Sequence, residues 1–317
     1  MKFALPAVLA FAFVAVSGPK FIEFLRKLKA SQTEREYLES HVAKSGTPTM
    51  GGIMILIGFI LGCFAMAYWF PRVIPVVILT VGFGIIGFID DYLKVVMKSA
   101  DGLLAWQKLL LQIVVTAVFY FYLKSFTDVS VSKLIIPFTG GNTVDIGWVG
   151  IPLLFFAVIG TVNGTNFTDG LDGLASSVTA VVALFFAAAS IKLGGMGVES
   201  AGMAMFGALL GFLLFNHYPA KVFMGDTGSL ALGGFVSGMA YMMGMPLFIL
   251  LVGLIYFVEV LSVMLQVSYF KITHGKRIFR MAPIHHHFEK GGWSEVKIVA
   301  VFTAITLVMA IIAFFAL

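Results

Sequence analysis

Five aspartates are the residues of this chain best suited to chemistry. They lie where long apolar stretches begin or end, at Asp90, Asp91, Asp169, Asp172 and Asp226. A carboxylate at the edge of a membrane-like segment is costly to keep charged, so a functional role and a cationic partner are expected. Oxygen ligands without a cysteine cluster or a spaced histidine pair favour Mg²⁺, which binds one or two carboxylates together with substrate phosphates. Simple capping of helix starts is the alternative interpretation.

The spacing of the carboxylates predicts which of them can act together. Asp90 and Asp91 are adjacent and would point to different sides of a helix. Asp169 and Asp172 are three residues apart, so on a helix they would share one face.

Several polar segments are suited to phosphate binding. Residues 225–229, "GDTGS", precede an apolar stretch, so free backbone N–H groups at a helix N-terminus could receive an anion there, as they could after Thr49. Three lysines would add positive charge, or would act only as membrane-edge anchors: Lys44, Lys94 and Lys108.

The histidine run "APIHHHFE" favours hydrogen bonding over metal binding. Consecutive helical residues point about 100° apart, so this spacing does not favour one ion shared by His285, His286 and His287. They would instead donate hydrogen bonds to a sugar phosphate or a carboxylate. Glu259 lies inside an apolar stretch and needs a partner, and Gln266 lies two helical turns further along the same face.

The elements that position these residues are membrane helices. The chain has 317 residues, of which 60% are hydrophobic and 12% charged, and its mean hydropathy is +1.00. Soluble domains carry about 25% charged residues, so we predict an all-α integral membrane protein with a single polytopic domain over residues 1–317. The predicted spans, about ten, are 3–19, 50–70, 74–89, 106–123, 148–163, 174–191, 201–215, 229–244, 246–268 and 296–316. "GFGIIG" (82–87) and "GALLG" (207–211) lie inside spans and indicate close helix packing rather than dinucleotide binding.

The distribution of basic residues predicts the orientation of the chain. With both termini outside, 16 of the 21 lysines and arginines fall in inside loops, as the preference for positive charge on the cytoplasmic side requires. The first span could alternatively be a secretory signal, although the basic run after it would stop transfer. The polar loops then converge on the inner face, whereas residues 124–147 form a small hairpin on the outer face.

Several of these segments resemble a known family. "FIDDYLK", "NGTNFTDGLDGL", "FMGDTGSLALG" and "MAPIHHHFE" are similar to the signatures of the polyprenyl-phosphate N-acetylhexosamine-1-phosphate transferase superfamily. The resemblance includes "GTPTMGG" and "YFKITHGKRIFRMAPIHHHFEKGGW" and so covers nearly the whole chain. The triple histidine resembles the branch of the superfamily that acts on muramoyl-pentapeptide.

The resemblance implies a ten-span enzyme of the bacterial inner membrane with its active site facing the cytoplasm. The implied reaction moves phospho-N-acetylmuramoyl-pentapeptide from UDP to undecaprenyl phosphate, forming lipid I and UMP for peptidoglycan synthesis. Mg²⁺ is the implied cofactor, the bilayer surrounds the protein, a homodimer is plausible by analogy, and no nucleic acid is expected as a partner. Alternatives are a sister transferase that uses UDP-N-acetylglucosamine and a secondary transporter with Glu259 on its pathway.

The same resemblance implies roles for individual residues. Asp226 would be the principal Mg²⁺ ligand with Asp91 close to the metal, and Asp90 would receive the proton of the lipid phosphate. Direct attack by that phosphate is favoured over a covalent aspartyl intermediate. The remaining implied contacts are phosphates for Lys44, Thr49, Lys94 and Lys108, the sugar phosphate for His285, His286 and His287, uracil for Phe223 and Gln266, and the nucleotide side for Asn166, Asp169, Asp172 and Asn216.

Overall fold

The computed structural model describes residues 4–28, 46–99 and 101–317. The helices are α1 (Ala4–Lys27), α2 (Gly52–Ala67), α3 (Val73–Val95), α4 (Ala105–Phe126), α5 (Gly150–Thr168), α6 (Leu174–Lys192), α7 (Glu199–Asn216), α8 (Gly225–Met242), α9 (Ile249–Val252), α10 (Leu254–Ile272), α11 (Ile284–Glu289) and α12 (Glu295–Phe315). Two single-turn 3₁₀ helices, Gly147–Val149 and Pro246–Phe248, precede α5 and α9.

The predicted all-α membrane protein is confirmed. Eight helices in the described part of the chain are long and apolar enough to cross a membrane. Two more predicted spans correspond to α2, which has only 16 residues, and to α8, which is too polar to meet the same standard. The count of ten spans and the outward orientation of both termini stay predictions.

Helix α8 lies at the centre of the bundle. Every residue from 227 to 242 is buried, so the helix contacts protein on all sides and does not need the apolar surface that lipid demands. Its small residues allow close approach: Gly233 faces Val162 of α5, and Gly234 faces Leu79 of α3. A Cβ at Gly87 of α3 would overlap the backbone of Asp226. Close packing through "GFGIIG" is therefore confirmed, and it brings α3 against the start of α8.

The bundle has two chemically different ends. The predicted hairpin is confirmed, because β1 (Lys133–Ile135) pairs antiparallel with β2 (Thr143–Asp145). The N–H of Phe138, between these strands, donates to the carbonyl oxygen of Ala316 at 2.8 Å, which ties the hairpin to the end of α12. Helix α12 begins 21 residues earlier, at Glu295, so its two ends are about 30 Å apart. The carboxylates lie at the Glu295 end.

Three elements differ from the predicted boundaries. Helix α3 continues to Val95, so Asp90 and Asp91 lie within the helix rather than after it. The span predicted at 246–268 is interrupted at Gly253, between α9 and α10. Residues 169–173 form a turn between α5 and α6. The expectation that Asp169 and Asp172 share a helical face is therefore wrong, because glycines on both sides of Leu171 favour a turn over a helix.

Candidate active site

Asp226 is the residue on which the polar side chains converge. Its Oδ2 lies 2.9 Å from the Lys108 ammonium and 3.3 Å from that of Lys94. Its Oδ1 accepts a hydrogen bond from the side-chain amide of Asn166 at 2.8 Å, and the same amide donates to Ser229 at 2.8 Å. Residues from α3, α4, α5 and α8 thus meet around one carboxylate.

Asp91 holds the N-terminus of α8. Its carboxylate accepts the backbone N–H of Asp226 at 3.1 Å, the backbone N–H of Thr227 at 2.9 Å and the Thr227 hydroxyl at 2.6 Å. Free N–H groups at a helix start attract an anion, as the "GDTGS" segment predicted. At Asp226 and Thr227 the anion is a carboxylate of the protein itself rather than a phosphate.

Asp90 points to a different side of α3. Its Oδ2 lies 2.5 Å from the ammonium of Lys94, one turn further along the helix. Its Oδ1 accepts the backbone N–H of Leu103 at 2.8 Å, so it also fixes the segment that leads into α4. The two adjacent aspartates therefore have separate partners although both are fully buried.

Together these three carboxylates could bind a metal ion. One oxygen from each of Asp90, Asp91 and Asp226 lies within 4.8 Å of the others. The donor set consists of oxygen atoms only, which suits a hard divalent cation. Lys94 and Lys108 bring positive charge to the same place, so the site combines a carboxylate cluster that could bind a cation with groups that attract anions.

The turn at residues 169–173 borders this cluster. Burial raises the pKa of Asp169, and the nearby carboxylates of Asp226, Asp91 and Asp172 raise it further. Asp172 is buried, and its Oδ2 accepts the backbone N–H of Ala220 at 2.9 Å. Its own N–H donates to Glu295 at 3.4 Å. This turn therefore connects the carboxylate cluster with α12 and with the segment that leads into α8.

Phe223 is held by its backbone beside Asp226. Its N–H donates to the carbonyl oxygen of Pro48 at 2.8 Å, and its carbonyl accepts the N–H of Gly51 at 2.9 Å. Thr49 lies between Pro48 and Gly51, in the stretch whose backbone is bonded to Phe223. It is fully buried, and its hydroxyl has no hydrogen-bond partner among the described residues. Asn216 anchors the residue before Phe223. Its side-chain amide donates to the Val222 carbonyl at 3.0 Å, and its side-chain oxygen accepts the Ser176 hydroxyl at 3.0 Å.

The three histidines belong to the segment after α10, and Gln266 lies within α10 and contacts that segment. His285 is fully buried, with its Nδ1 3.1 Å from Oε1 of Glu259. His286 contacts Glu289 at 2.9 Å, and His287 accepts the backbone N–H of Arg280 at 3.1 Å. Gln266 accepts the backbone N–H groups of Ile278 and Phe279. The three rings thus have three different partners, as their helical spacing implies.

The structure directly joins six of the residues predicted from the sequence, namely Asp90, Asp91, Lys94, Lys108, Asn166 and Asp226. Lys44 lies outside the described residues. Sequence reasoning missed Glu295 as a partner of the 169–173 turn. Little in the sequence indicated this role. Glu295 follows the N-cap residue Ser294 in the first turn of α12, where a glutamate is also common in ordinary helix capping.

Comparison with known proteins supports the same reading of the motifs. The model of glycosyl transferase family 4 matches residues 73–244, which include Asp90, Asp91, Asn166 and Asp226. The phospho-N-acetylmuramoyl-pentapeptide-transferase signature 1 matches residues 44–56, which include Thr49.

Relatives match along almost the entire chain. The phospho-N-acetylmuramoyl-pentapeptide-transferase of Acetivibrio thermocellus is 48% identical over 98% of this chain and 94% of its own length. The protein of the same name from Clostridium perfringens strain 13 is 45% identical over 99% of this chain and 98% of its own. A model match over more than half of the chain and this identity over nearly all of it place the protein among multi-pass membrane transferases. The chain belongs to the phospho-N-acetylmuramoyl-pentapeptide-transferase family.

Proposed function

We propose that the enzyme transfers phospho-N-acetylmuramoyl-pentapeptide from UDP to undecaprenyl phosphate, forming lipid I and UMP for peptidoglycan synthesis. The observation that carries this proposal is the meeting of two further carboxylates and two lysines around Asp226. Phosphoryl transfer needs mainly positioning and charge stabilisation, and a site that combines oxygen ligands for a cation with ammonium groups supplies both. The names of the relatives indicate the same donor.

Residues of this chain would orient the two substrates. An oxygen of the lipid phosphate attacks the phosphorus next to the sugar, and the bond to the UMP oxygen breaks. Asp226 and Asp91, with Asp90 nearby, would hold Mg²⁺. Bound there, Mg²⁺ supplies positive charge that offsets the charge on the diphosphate oxygens. Lys94 and Lys108 would bind phosphate oxygens, and Asp90 would accept any proton still on the lipid phosphate, whose second pKa is about 6.

The nucleotide would lie beside the 169–173 turn. Asn166, Asp169 and Asp172 border that side of the carboxylate cluster, and Phe223 lies next to Asp226 with its ring available to stack on uracil. Thr49 would meet a phosphate, while Gln266 would reach the base and Asn216 would support Phe223. His286 and His287 would approach the sugar phosphate. His285 is buried against Glu259 and would act through its neighbours.

The active site would face the cytoplasm of the bacterial inner membrane. The end of the bundle that carries the carboxylates is also where the loops rich in lysine and arginine begin, while the hairpin lies at the other end. Positive charge is retained preferentially on the cytoplasmic side, so the carboxylate end would face the cytoplasm. A homodimer stays a prediction.

UMP release tests the proposed reaction. The detergent-purified protein should release UMP only when undecaprenyl phosphate and UDP-N-acetylmuramoyl-pentapeptide are both present with Mg²⁺. EDTA should stop the release, and excess Mg²⁺ should restore it. Release with UDP-N-acetylglucosamine instead would assign the protein to the sister reaction, and no release with either donor would refute a transferase of this kind.

Truncation of Phe223 tests the proposed nucleotide side. Stacking on a base contributes about 1–3 kcal/mol, so we expect Phe223→Ala to weaken UDP binding by about tenfold or more. The backbone bonds of Phe223 to Pro48 and Gly51 do not involve the ring and should keep the segment in place. Calorimetric titration with UDP measures the effect, with Phe223→Tyr as the control that preserves stacking. Unchanged affinity of the alanine variant would exclude this role.

A further inference from the structure

Glu259 and His285 form a buried pair for which the proposed chemistry has no direct use. Glu259 lies on α10 and His285 in the first turn of α11, and both are fully buried. Oε1 of Glu259 is 3.1 Å from Nδ1 of His285. Helix α11 has only six residues, so its position depends on contacts of this kind rather than on its own stability.

The other edge of the His285 ring lies against Gly170. A Cβ at Gly170 would overlap Nε2 of the imidazole, so the close contact requires glycine at this position. Gly170 follows Asp169 in the turn between α5 and α6. The ring of His285 therefore fills the space between a carboxylate on α10 and the backbone of the turn that borders the carboxylate cluster.

The turn transmits this contact further. Asp172 receives the N–H of Ala220 on its Oδ2 at 2.9 Å. Ala220 begins the short segment that continues through Phe223 to Asp226. A displacement of the turn would therefore also displace the residues proposed to bind the nucleotide. Glu259 itself contacts none of those residues among its described partners.

We propose that Glu259 is a positioning residue, which holds the His285 imidazole against Gly170 and thereby fixes the 169–173 turn for nucleotide binding. A carboxylate buried 3.1 Å from one ring nitrogen of a histidine restricts how the ring can lie. Here the oriented ring is a spacer between two elements rather than a group that meets the substrate. The inference deepens the proposed function and rests on it for the identity of the ligand.

Glu259→Gln removes the charge while keeping the size of the side chain. We expect hydrogen exchange of the amides at 169–173 to accelerate about tenfold because the turn opens more often. The KM for the UDP-linked donor should rise about tenfold with a smaller change in kcat, since a binding contact rather than the reacting group is displaced. The KM for undecaprenyl phosphate should remain within about twofold.

A matched control is available at the opposite end of the bundle. Glu199 is also buried, and it accepts a hydrogen bond from Ser190 at 2.7 Å. Glu199→Gln makes the same chemical change in a membrane helix, and it should leave both the exchange at 169–173 and the donor KM unchanged. An equal effect of both substitutions would reduce the role of Glu259 to general stability and overturn the proposal.

Gly170→Ala tests the same contact from the other side and leaves Glu259 and His285 intact. It should reproduce the faster exchange and the higher donor KM, because the added methyl group displaces the ring. If Glu259→Gln does not fold, Glu259→Asp replaces it, because the shorter side chain draws the carboxylate away from Nδ1 of His285 and should also accelerate exchange at 169–173. The double variant Glu259→Gln with His285→Gln should be no worse than either single one, since residues that act as a unit are not additive.

The exchange measurement needs no substrate and therefore separates the two hypotheses. If the unaltered protein transfers no phospho-sugar, the proposed function fails, but exchange still reports whether Glu259 holds the turn. If the unaltered protein is active and Glu259→Gln matches it in exchange and in donor KM, the positioning role of Glu259 is refuted, whatever the effect of Gly170→Ala.

Discussion

Asp226→Asn should lower the rate of UMP release by about a thousandfold or more, which is the scale of losing one essential charge-stabilising group in an active site. Asparagine has nearly the same size but no charge, so the side chain would no longer serve as an anionic metal ligand. It would also leave the ammonium groups of Lys94 and Lys108 beside a neutral amide. The rate should be measured with saturating donor and acceptor over a range of Mg²⁺ concentrations.

A suitable control for this substitution is Asp128→Asn. Asp128 is exposed on the hairpin side of the bundle, where Arg72 binds it at 2.6 Å and lowers its pKa through that hydrogen bond. An exposed ion pair contributes little to stability, so the control should keep its full activity. A rate for Asp226→Asn within about tenfold of the unaltered enzyme would remove Asp226 from the metal site.

Asp91→Asn should abolish activity and also destabilise the protein. The carboxylate of Asp91 accepts two backbone N–H groups and one hydroxyl group at the start of α8. An amide in the same place would turn its NH₂ group towards one or more of these donors. Loss of a buried hydrogen bond to a charged group costs about 1.5–3 kcal/mol, so we expect a clearly lower Tm in detergent as well as loss of UMP release.

The contrast between the two aspartates makes this prediction specific. Asp226→Asn should lower the Tm less than Asp91→Asn does, because the contacts of Asp91 with the backbone of α8 persist and Lys94 keeps Asp90 as a partner. Thr227→Ser is a matched control for the cap, since it retains the hydroxyl that donates to Asp91. An Asp91→Asn variant with unchanged Tm would contradict the capping role, and one with unchanged activity would contradict a place near the metal.

Much of this architecture could be predicted because it depends on local patterns. Apolar stretches long enough to cross a bilayer identify helices wherever they occur, and every predicted span except the interrupted one at 246–268 corresponds to one helix. The alternating residues around Gly140 and Gly141 were sufficient to predict the hairpin. The motifs around the aspartates indicated the family, and the burial of Glu259 required a partner before any partner was known.

The partners themselves were decided by the tertiary structure. Lys108 and Asn166 are 118 and 60 residues from Asp226 along the chain, and no helical or strand period relates them. Their meeting depends on which faces of α4, α5 and α8 pack together, which small residues such as Gly233 permit. The same holds for His285, which the sequence indicated as a ligand for sugar phosphate and the fold buries against Glu259.

Helix α8 shows most clearly which features local sequence patterns predict and which depend on tertiary packing. From the sequence alone its start was expected near residue 229, yet the helix begins at Gly225, and the first turn carries Asp226. The reason is Asp91, a residue on another helix that satisfies the N–H groups of that first turn. The apolar stretches and the acidic motifs were enough to indicate a membrane transferase. The three-dimensional packing decided that one of those acids orients the helix that presents another, because a helix end is stabilised by whichever group the fold brings to it.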